Sequence, residues 1–367
     1  MSDASAEERI SLASNWTLVW WRFRKHRLAL LSAIVLLGFY AIVLCPDFFS
    51  TDDPERTDAR LAFIPAQAVR VLDGHRLSPW VPAVVGKRNP TTLRMEWRVD
   101  SSRRVPVRFF VHGHPYRILW LIPADRHLMG VVGPGDERLH VLGTDRLGRD
   151  QWSRLMHATQ TSMTIGLVAV TLSVVFGVLL GGVSGYLGGL PDLVIQRLIE
   201  LLQSLPTIPI WLALTAALPR DWSPVQVFFA ITVILSLVGW TALGREVRGR
   251  FLALREEDFV LAAELAGCSR ARVIGRHMVP TFLSHIIATS TLAIPAMIIS
   301  ETSLSFLGLG LRPPAISWGV LLQEAQNIQT LALAPWLLIP GLVVIASVLA
   351  FNLVGDGLRD AADPYSH

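Results

Sequence analysis

The chain has 367 residues, of which 51% are hydrophobic and 17% charged, and its mean hydropathy is +0.45. Globular chains carry about 25% charged residues, so this composition excludes an ordinary soluble domain; it also excludes disorder, and two cysteines exclude a disulfide scaffold. The formal net charge is only +4, so the placement of charge is more telling than its sum. Only Lys25 and Lys87 are lysines, and Gly86-Lys87 is followed by Arg88, with Val81 where a phosphate loop needs its first glycine. That route to ATP hydrolysis is closed to this chain.

Residues 1–27 form a basic N-terminal segment with Arg9, Arg22, Arg24, Lys25 and Arg27, and also Asp3, Glu7 and Glu8. A spanning helix needs about 20 mostly apolar residues. Six stretches meet that need: Leu28 to Cys45, Ser162 to Leu187, Leu193 to Leu218, Val225 to Leu243, Phe282 to Phe306 and Leu333 to Val354. The first lacks a small-residue cleavage site and reads as an uncleaved anchor. Between it and the second lie the 95 residues Pro46 to His140. Runs 95–99 and 105–111 read as strands, with prolines and Asp100-Ser101-Ser102 as turn punctuation, so a β-rich module is expected. His112 and His114 would share a strand face, and His127 and His140 follow. With no cysteines and no fixed second pair, they read as surface histidines rather than a metal site. Trp80, Trp97, Phe109, Phe110, Tyr116 and Trp120 are expected mostly in the module's core, with some available to a partner.

Arginine-rich short loops mark the cytoplasmic side. The 244–280 loop carries Arg245, Arg248, Arg250, Arg255, Arg270, Arg272 and Arg276, whereas the opposite short loops hold only Arg220 and Arg312. Both termini and the 244–280 loop are therefore expected in the cytoplasm, and 46–140 outside. Within the spans, Gly177, Gly181, Gly185 and Gly189 recur every four residues and should let another helix of the same subunit approach. Pro206, Pro209 and Pro295 should kink their helices. Glu200 follows Arg197 by one turn and should pair with it. Ser300, Glu301 and Thr302 stand near the end of the fifth span, where Glu301 would meet either a helix–helix hydrogen bond or a polar cavity.

From Arg255 to Pro280 the loop reads REEDFVLAAELAGCSRARVIGRHMVP. Glu256, Glu257 and Asp258 favour a helix start, and Phe259, Ala262, Ala263 and Ala266 make an i, i+3, i+4, i+7 stripe. Gly267 should end this helix, and Ser269 should cap a second one running to Pro280. The stripe's small centre would present a shallow face, either to a groove on another protein or to the bilayer surface.

This loop resembles the EAA motif, E-A-A-x-x-x-G followed after an interval by proline, of inner-membrane permease subunits of bacterial ABC importers in the peptide/nickel group. Ala262, Ala263, Gly267 and Pro280 are in register, and Leu261 stands where the motif has its glutamate, with Glu264 one turn on. LGTDRLGRDQWSRL at 142–155, ETSLSFLGLGLRPPAISWG at 301–319 and NLVGDGLRDAADP at 352–364 also agree. The resemblance covers 142–364 and most of the first span. It implies an all-α polytopic fold of six helices, the type I importer permease, here with an inserted β-rich periplasmic module. The expected organisation is a cytoplasmic segment 1–27, a first helix 28–45, the periplasmic module 46–140, a five-helix core 141–354 that includes the coupling loop 244–280, and a cytoplasmic tail 355–367.

By the same resemblance, the chain would form half of a path for peptides across the bacterial inner membrane, with oligosaccharides or nickel as alternative cargo. It would itself be no enzyme and bind no cofactor. ATP and magnesium would sit on two cytoplasmic ATPase subunits, a homologous second permease would complete the path, and a periplasmic binding protein would deliver cargo. Lipid is a partner and nucleic acid is not. Glu257, Phe259, Leu261, Ala262, Ala263, Glu264, Gly267 and Pro280 would couple to the ATPase, while Ser300, Glu301 and Thr302 would line the path. A secondary transporter is the competing class, but no internal repeat supports it. A membrane-anchored external enzyme built on 46–140 is another, and that segment holds none of the hydrolase or metalloprotease motifs.

Overall fold

The computed structural model describes residues 15–73, 76–91, 95–119, 121–131, 138–219, 221–327 and 332–362. Asp3, Glu7, Glu8, Arg9, Trp120 and Arg220 lie outside them. Helix α1 is Asn15–Lys25, α2 is Arg27–Leu44 and α3 is the single turn Pro46–Phe49. Strands follow: β1 Arg70–Asp73, β2 Arg76–Arg88, β3 Met95–Ile118 and β4 Ile122–Val131. Then come α4 Gln151–Leu187, α5 Gly189–Ser204, α6 Thr207–Ala216, α7 Pro224–Leu254 and α8 Asp258–Leu265. The last helices are α9 Leu283–Phe306, α10 Trp318–Glu324 and α11 Ile339–Ala362.

Among the described residues, five helices are long and apolar enough to cross a membrane, or six if α5 and α6 count as one broken span. The expected single helix Leu193 to Leu218 is corrected here, because α5 and α6 meet at 90°. Pro206 has no N–H to continue a helix and forces the residue before it out of the helical region. Leu205 accordingly sits at φ −94°, ψ 141°. Pro295, by contrast, is carried inside α9 without ending it. Helix α4 begins eleven residues before the expected Ser162, because the Asp150 carboxylate accepts the Ser153 N–H at 2.8 Å and caps a polar first turn. Ser223 and Gln226 cap α7 reciprocally, with Pro224 in its first turn.

The chain divides into two compact units, one of residues 1–37, 165–301 and 346–367, the other of 38–164 and 302–345. In the first unit the glycine stripe does what its spacing implied: a Cβ on Gly177 would meet Leu243 at 3.2 Å, and one on Gly185 would meet the Arg248 carbonyl at 2.6 Å. Backbone of α4 thus lies on backbone of α7, while Gly189, outside α4, has open space around it. Asp192 in α5 accepts two hydrogen bonds from the Arg248 guanidinium, at 2.6 and 2.7 Å, fixing α5 to the same helix. Arg197 pairs with Glu200 at 2.7 Å on an exposed face, as their spacing required.

The second unit holds an antiparallel sheet in the order β1-β2-β3-β4. Its core is Val81, Ala83, Val105, Val107 and Leu139. The two expected strands at 95–99 and 105–111 are one: Asp100-Ser101-Ser102 does not turn the chain. The register instead jumps from Pro82↔Arg104 to Ala83↔Asp100, a bulge in which Asp100 accepts the Ser102 N–H at 3.0 Å. The first half of β3 pairs with β2 and the second half, from Val107, with β4. Trp80 is buried and the Trp97 indole donates to the Ala62 carbonyl at 2.8 Å, whereas Phe109 and Phe110 are exposed.

His127 and His140 are not surface residues, being 2% and 4% exposed. Each is held by a hydrogen-bond partner: His127 Nδ1 lies 2.7 Å from the Asp47 carbonyl, and His140 Nδ1 lies 2.9 Å from Asp150 Oδ1. His112 stays exposed and pairs with Asp125 at 2.8 Å. Among the described residues, no three His, Cys, Asp or Glu side chains are grouped to hold a metal ion.

Candidate functional site

Helix α8 starts where expected. Glu257 occupies its N-cap position with extended backbone, and Asp258 lies in the first turn, where a negative charge suits the helix dipole. It ends at Gly267, whose φ of +78° is the left-handed conformation glycine adopts most readily. The Gly267 N–H donates to the Glu264 carbonyl at 2.9 Å and the Cys268 N–H to the Ala263 carbonyl at 3.1 Å, closing the helix end.

The side that packs inward is not the expected one. Val260 and Ala263 are buried, joining Leu243, Val247, Phe251, Val273, Met278, Phe282 and Ile286 in one apolar cluster. Ala263 therefore belongs to the subunit's own core and not to an outward stripe with Phe259, Ala262 and Ala266. At 100° per residue the opposite side is centred on Leu265, flanked by Ala262 and Leu261. Leu265 is 90% exposed, Leu261 46% and Phe259 40%. The crown is thus not shallow: a leucine projects from it. Sequence reasoning missed Leu265 because the stripe was drawn through alanines. The Leu261/Leu265 pair at i, i+4, opposite Val260/Ala263, was the available signal.

Glu264 is also exposed, and the Tyr186 hydroxyl donates to its carboxylate. It ties α8 to α4 of its own unit instead of replacing, on the crown, the glutamate that Leu261 lacks. Beside that tie opens a groove of about 800 Å³ lined by the 186–191 turn, Arg255, Glu256, Cys268 and Arg270. The expected second helix to Pro280 is present and leads into the next span, but not as regular α-helix. Ser269 holds the N-cap position without a side-chain bond, one helical turn Arg270–Arg272 follows, and the backbone then widens over Val273–Met278 and tightens over Val279–Phe282. Pro280 sits exposed in that last, 3-10 turn, where its missing N–H costs nothing.

Ser300, Glu301 and Thr302 occupy successive positions of α9, so they radiate about 100° apart and do not share a face. Ser300 donates to the Ala296 carbonyl at 2.6 Å. Glu301 is fully buried, and the buried Thr302 hydroxyl has no hydrogen-bond partner among the described residues.

A second constellation, in the LGTDRLGRDQWSRL stretch, gained no role from the sequence. Asp145 Oδ2 receives Arg149 Nε at 2.7 Å and Arg154 Nη1 at 2.8 Å. Both arginines also reach Glu324 of α10: Arg154 Nη1 at 2.7 Å, Arg149 Nη2 at 3.0 Å. Arg154 is 1% exposed. Burial alone would raise the Glu324 carboxyl, but the two guanidiniums outweigh it and hold the group below the usual carboxylate range. Around this quartet, Thr144 Oγ1 accepts the Ile64 N–H at 2.8 Å, and the Thr144 carbonyl accepts the Trp336 indole at 3.1 Å. Trp318, fully buried at the start of α10, donates to Ser162 and Thr159 hydroxyls at 3.1 and 3.2 Å. Glu324 lies 170 residues from Arg154, and no local pattern links them.

Residues 173–365 match the family of binding-protein-dependent transport system inner membrane components, and the chain belongs to that family. Residues 14–66 match the N-terminal transmembrane domain of oligopeptide transport permease C. The oligopeptide transport system permease protein OppC of Bacillus subtilis is 35% identical over 61% of this chain and 72% of its own length. The dipeptide transport system permease protein DppC of Alkalihalophilus pseudofirmus is 37% identical over 63% and 73%, and OppC of Haemophilus influenzae is 34% identical over 67% and 78%. Among solved structures, the MetNI methionine ABC transporter in inward-facing conformations aligns with a TM-score of 0.44 at 15% identity, over 56% of this chain and 95% of that one. Family membership decides against the secondary transporter and the anchored external enzyme.

Proposed function

We propose that this chain is a type I permease subunit of an ATP-driven importer of peptides, and that the crown of α8 seats in a groove of an ATPase subunit. The observation that carries the coupling role is the two-sidedness of α8: Val260 and Ala263 lock it into its own unit, while Leu265 stands 90% exposed on the opposite side. Exposed apolar side chains on a rigid, internally anchored helix are what an interface core requires. The peptide cargo follows the names of the relatives. The chain hydrolyses nothing itself; ATP and magnesium belong to two partner ATPases, a homologous permease completes the path, and a binding protein delivers the peptide.

In this reading both termini and α8 face the cytoplasm, and the strands between residues 70 and 131 form a periplasmic module inserted into the permease. Two experiments test it. In the complex reconstituted with both permeases, the two ATPases and the binding protein, Leu265→Asp should abolish peptide uptake and binding-protein-stimulated ATPase activity while the permease inserts normally; normal uptake removes the coupling role. In spheroplasts, a membrane-impermeant thiol reagent should leave Cys268 unlabelled until the membrane is opened, and labelling from outside overturns the orientation.

A further inference from the structure

The hairpin of β3 and β4 ends in a turn whose chemistry is inverted. The Leu121 N–H donates to the Ile118 carbonyl at 3.0 Å, and Leu119 sits at φ +48°. Glycine, asparagine and aspartate usually fill such turns, since they tolerate a left-handed backbone and their tips face water. Here residues 118–122 read Ile-Leu-Trp-Leu-Ile. Leu119, Leu121 and Ile122 are 54%, 81% and 61% exposed, a run of apolar surface that the fold itself leaves uncovered.

The middle of this hairpin is held beside the end of a membrane span. Helix α2 is a membrane span ending at Leu44, and Asp47 follows three residues later. His127 Nδ1 lies 2.7 Å from the Asp47 carbonyl, His114 Nε2 lies 3.6 Å from its carboxylate, and the Phe48 and Phe110 rings are 6.2 Å apart. From α4, His157 reaches the same carboxylate at 3.2 Å, and Gln160 donates to the Val43 carbonyl at 3.0 Å. The middle of the hairpin is therefore pinned where the chain leaves the bilayer. Its tip lies five residues beyond His114, roughly 17 Å at about 3.3 Å per residue.

We propose that the tip is an interfacial lipid anchor, with Leu119, Leu121 and Ile122 inserted at the boundary of headgroups and acyl chains. Exposed Arg117 adjoins them, suited to lipid phosphates, while Arg126 lies farther back on β4 opposite His112, which engages the acid Asp125. The inference rests on α2 being a membrane span and not on peptide cargo or ATPase docking, so its failure leaves those readings standing.

The test uses the full chain with Cys45→Ser and Cys268→Ser, reconstituted in phosphatidylethanolamine/phosphatidylglycerol vesicles. Leu121→Cys carries an environment-sensitive fluorophore, and Ser102→Cys, exposed on the same sheet, serves as the reference. The label at 121 should show blue-shifted emission, quenching by lipids spin-labelled near the headgroup, and iodide quenching several-fold weaker than at 102. Equal iodide quenching at the two positions, with no effect of the lipid quencher, overturns the proposal. Protection from both quenchers overturns it too, by assigning the tip to a protein contact.

Discussion

The Arg149/Arg154 cluster and the crown of α8 treat their surroundings in opposite ways. In the cluster, charged groups are taken out of water and every carboxylate meets two guanidiniums. On α8, a leucine is left 90% exposed. Burying charge costs several kcal/mol per ion unless partners are in place, so the cluster shapes its own unit and tolerates little change. An exposed leucine costs little in the isolated subunit and gains only when something covers it. The contrast separates residues that hold the fold from residues that, in the proposed coupling, meet another molecule.

The largest expected effect is on the cluster. Arg154→Ala leaves Asp145 and Glu324 short of a partner, and removing one member of a buried ion network costs about 3–5 kcal/mol. A strong drop in the thermal-aggregation midpoint in detergent checks this; an unchanged midpoint would mean that the cluster does not hold the fold. Next comes Ala263→Arg, which drives a charge into the core under α8 and should reduce stability by more than about 3 kcal/mol. Leu265→Asp should instead shift stability by less than about 0.5 kcal/mol while uncoupling transport. Proteolysis of the two variants side by side reads the difference.

Gly267→Ala is smaller. The space is open, so only the left-handed backbone resists, at roughly 1–2 kcal/mol, visible as a modest shift in the same midpoint. Leu261→Glu, exposed and away from the core, should change stability by about 0.5 kcal/mol at most and leave transport intact. Acid sharpens the comparison from another side. The carboxyls of Glu324 and Asp47 are both held below their ordinary range: burial opposes this, but Arg154 prevails at the first and His114 and His157 at the second. Their contribution is complete above about pH 4.3, the unfolded value for a glutamate, and is lost as pH falls through the folded-state values. The aggregation midpoint should fall on acidification below that point, and Glu324→Gln should flatten the fall.

The spans were legible because uncharged apolar runs of that length rarely form anything but membrane helices, and the glycine stripe because a repeat of four marks one helix face. Gly267 was legible as a stop for a backbone reason that needs no tertiary context. The 90° break at Pro206 was half legible: proline announces a disturbance, but its angle depends on what packs around it. Which side of α8 faces inward was not legible, since alanine suits either environment and only the surrounding Val247, Phe251 and Met278 decide. The Arg154–Glu324 contact was hidden for a different reason, because the two residues meet only after the chain between them has folded.

The glycine stripe on α4 has one further consequence. Where Gly181 meets Gly244 and Gly185 meets the Arg248 carbonyl, no side chain lies between the two backbones. A side-chain layer can absorb displacement by rotamer changes, while peptide planes in direct contact cannot. Helices α4 and α7 therefore form a stiff double beam within their unit. Val260 and Ala263 clamp α8 to Val247 and Phe251 of α7, so in the proposed coupling a push on Leu265 would turn the beam as one piece instead of dying out in soft packing.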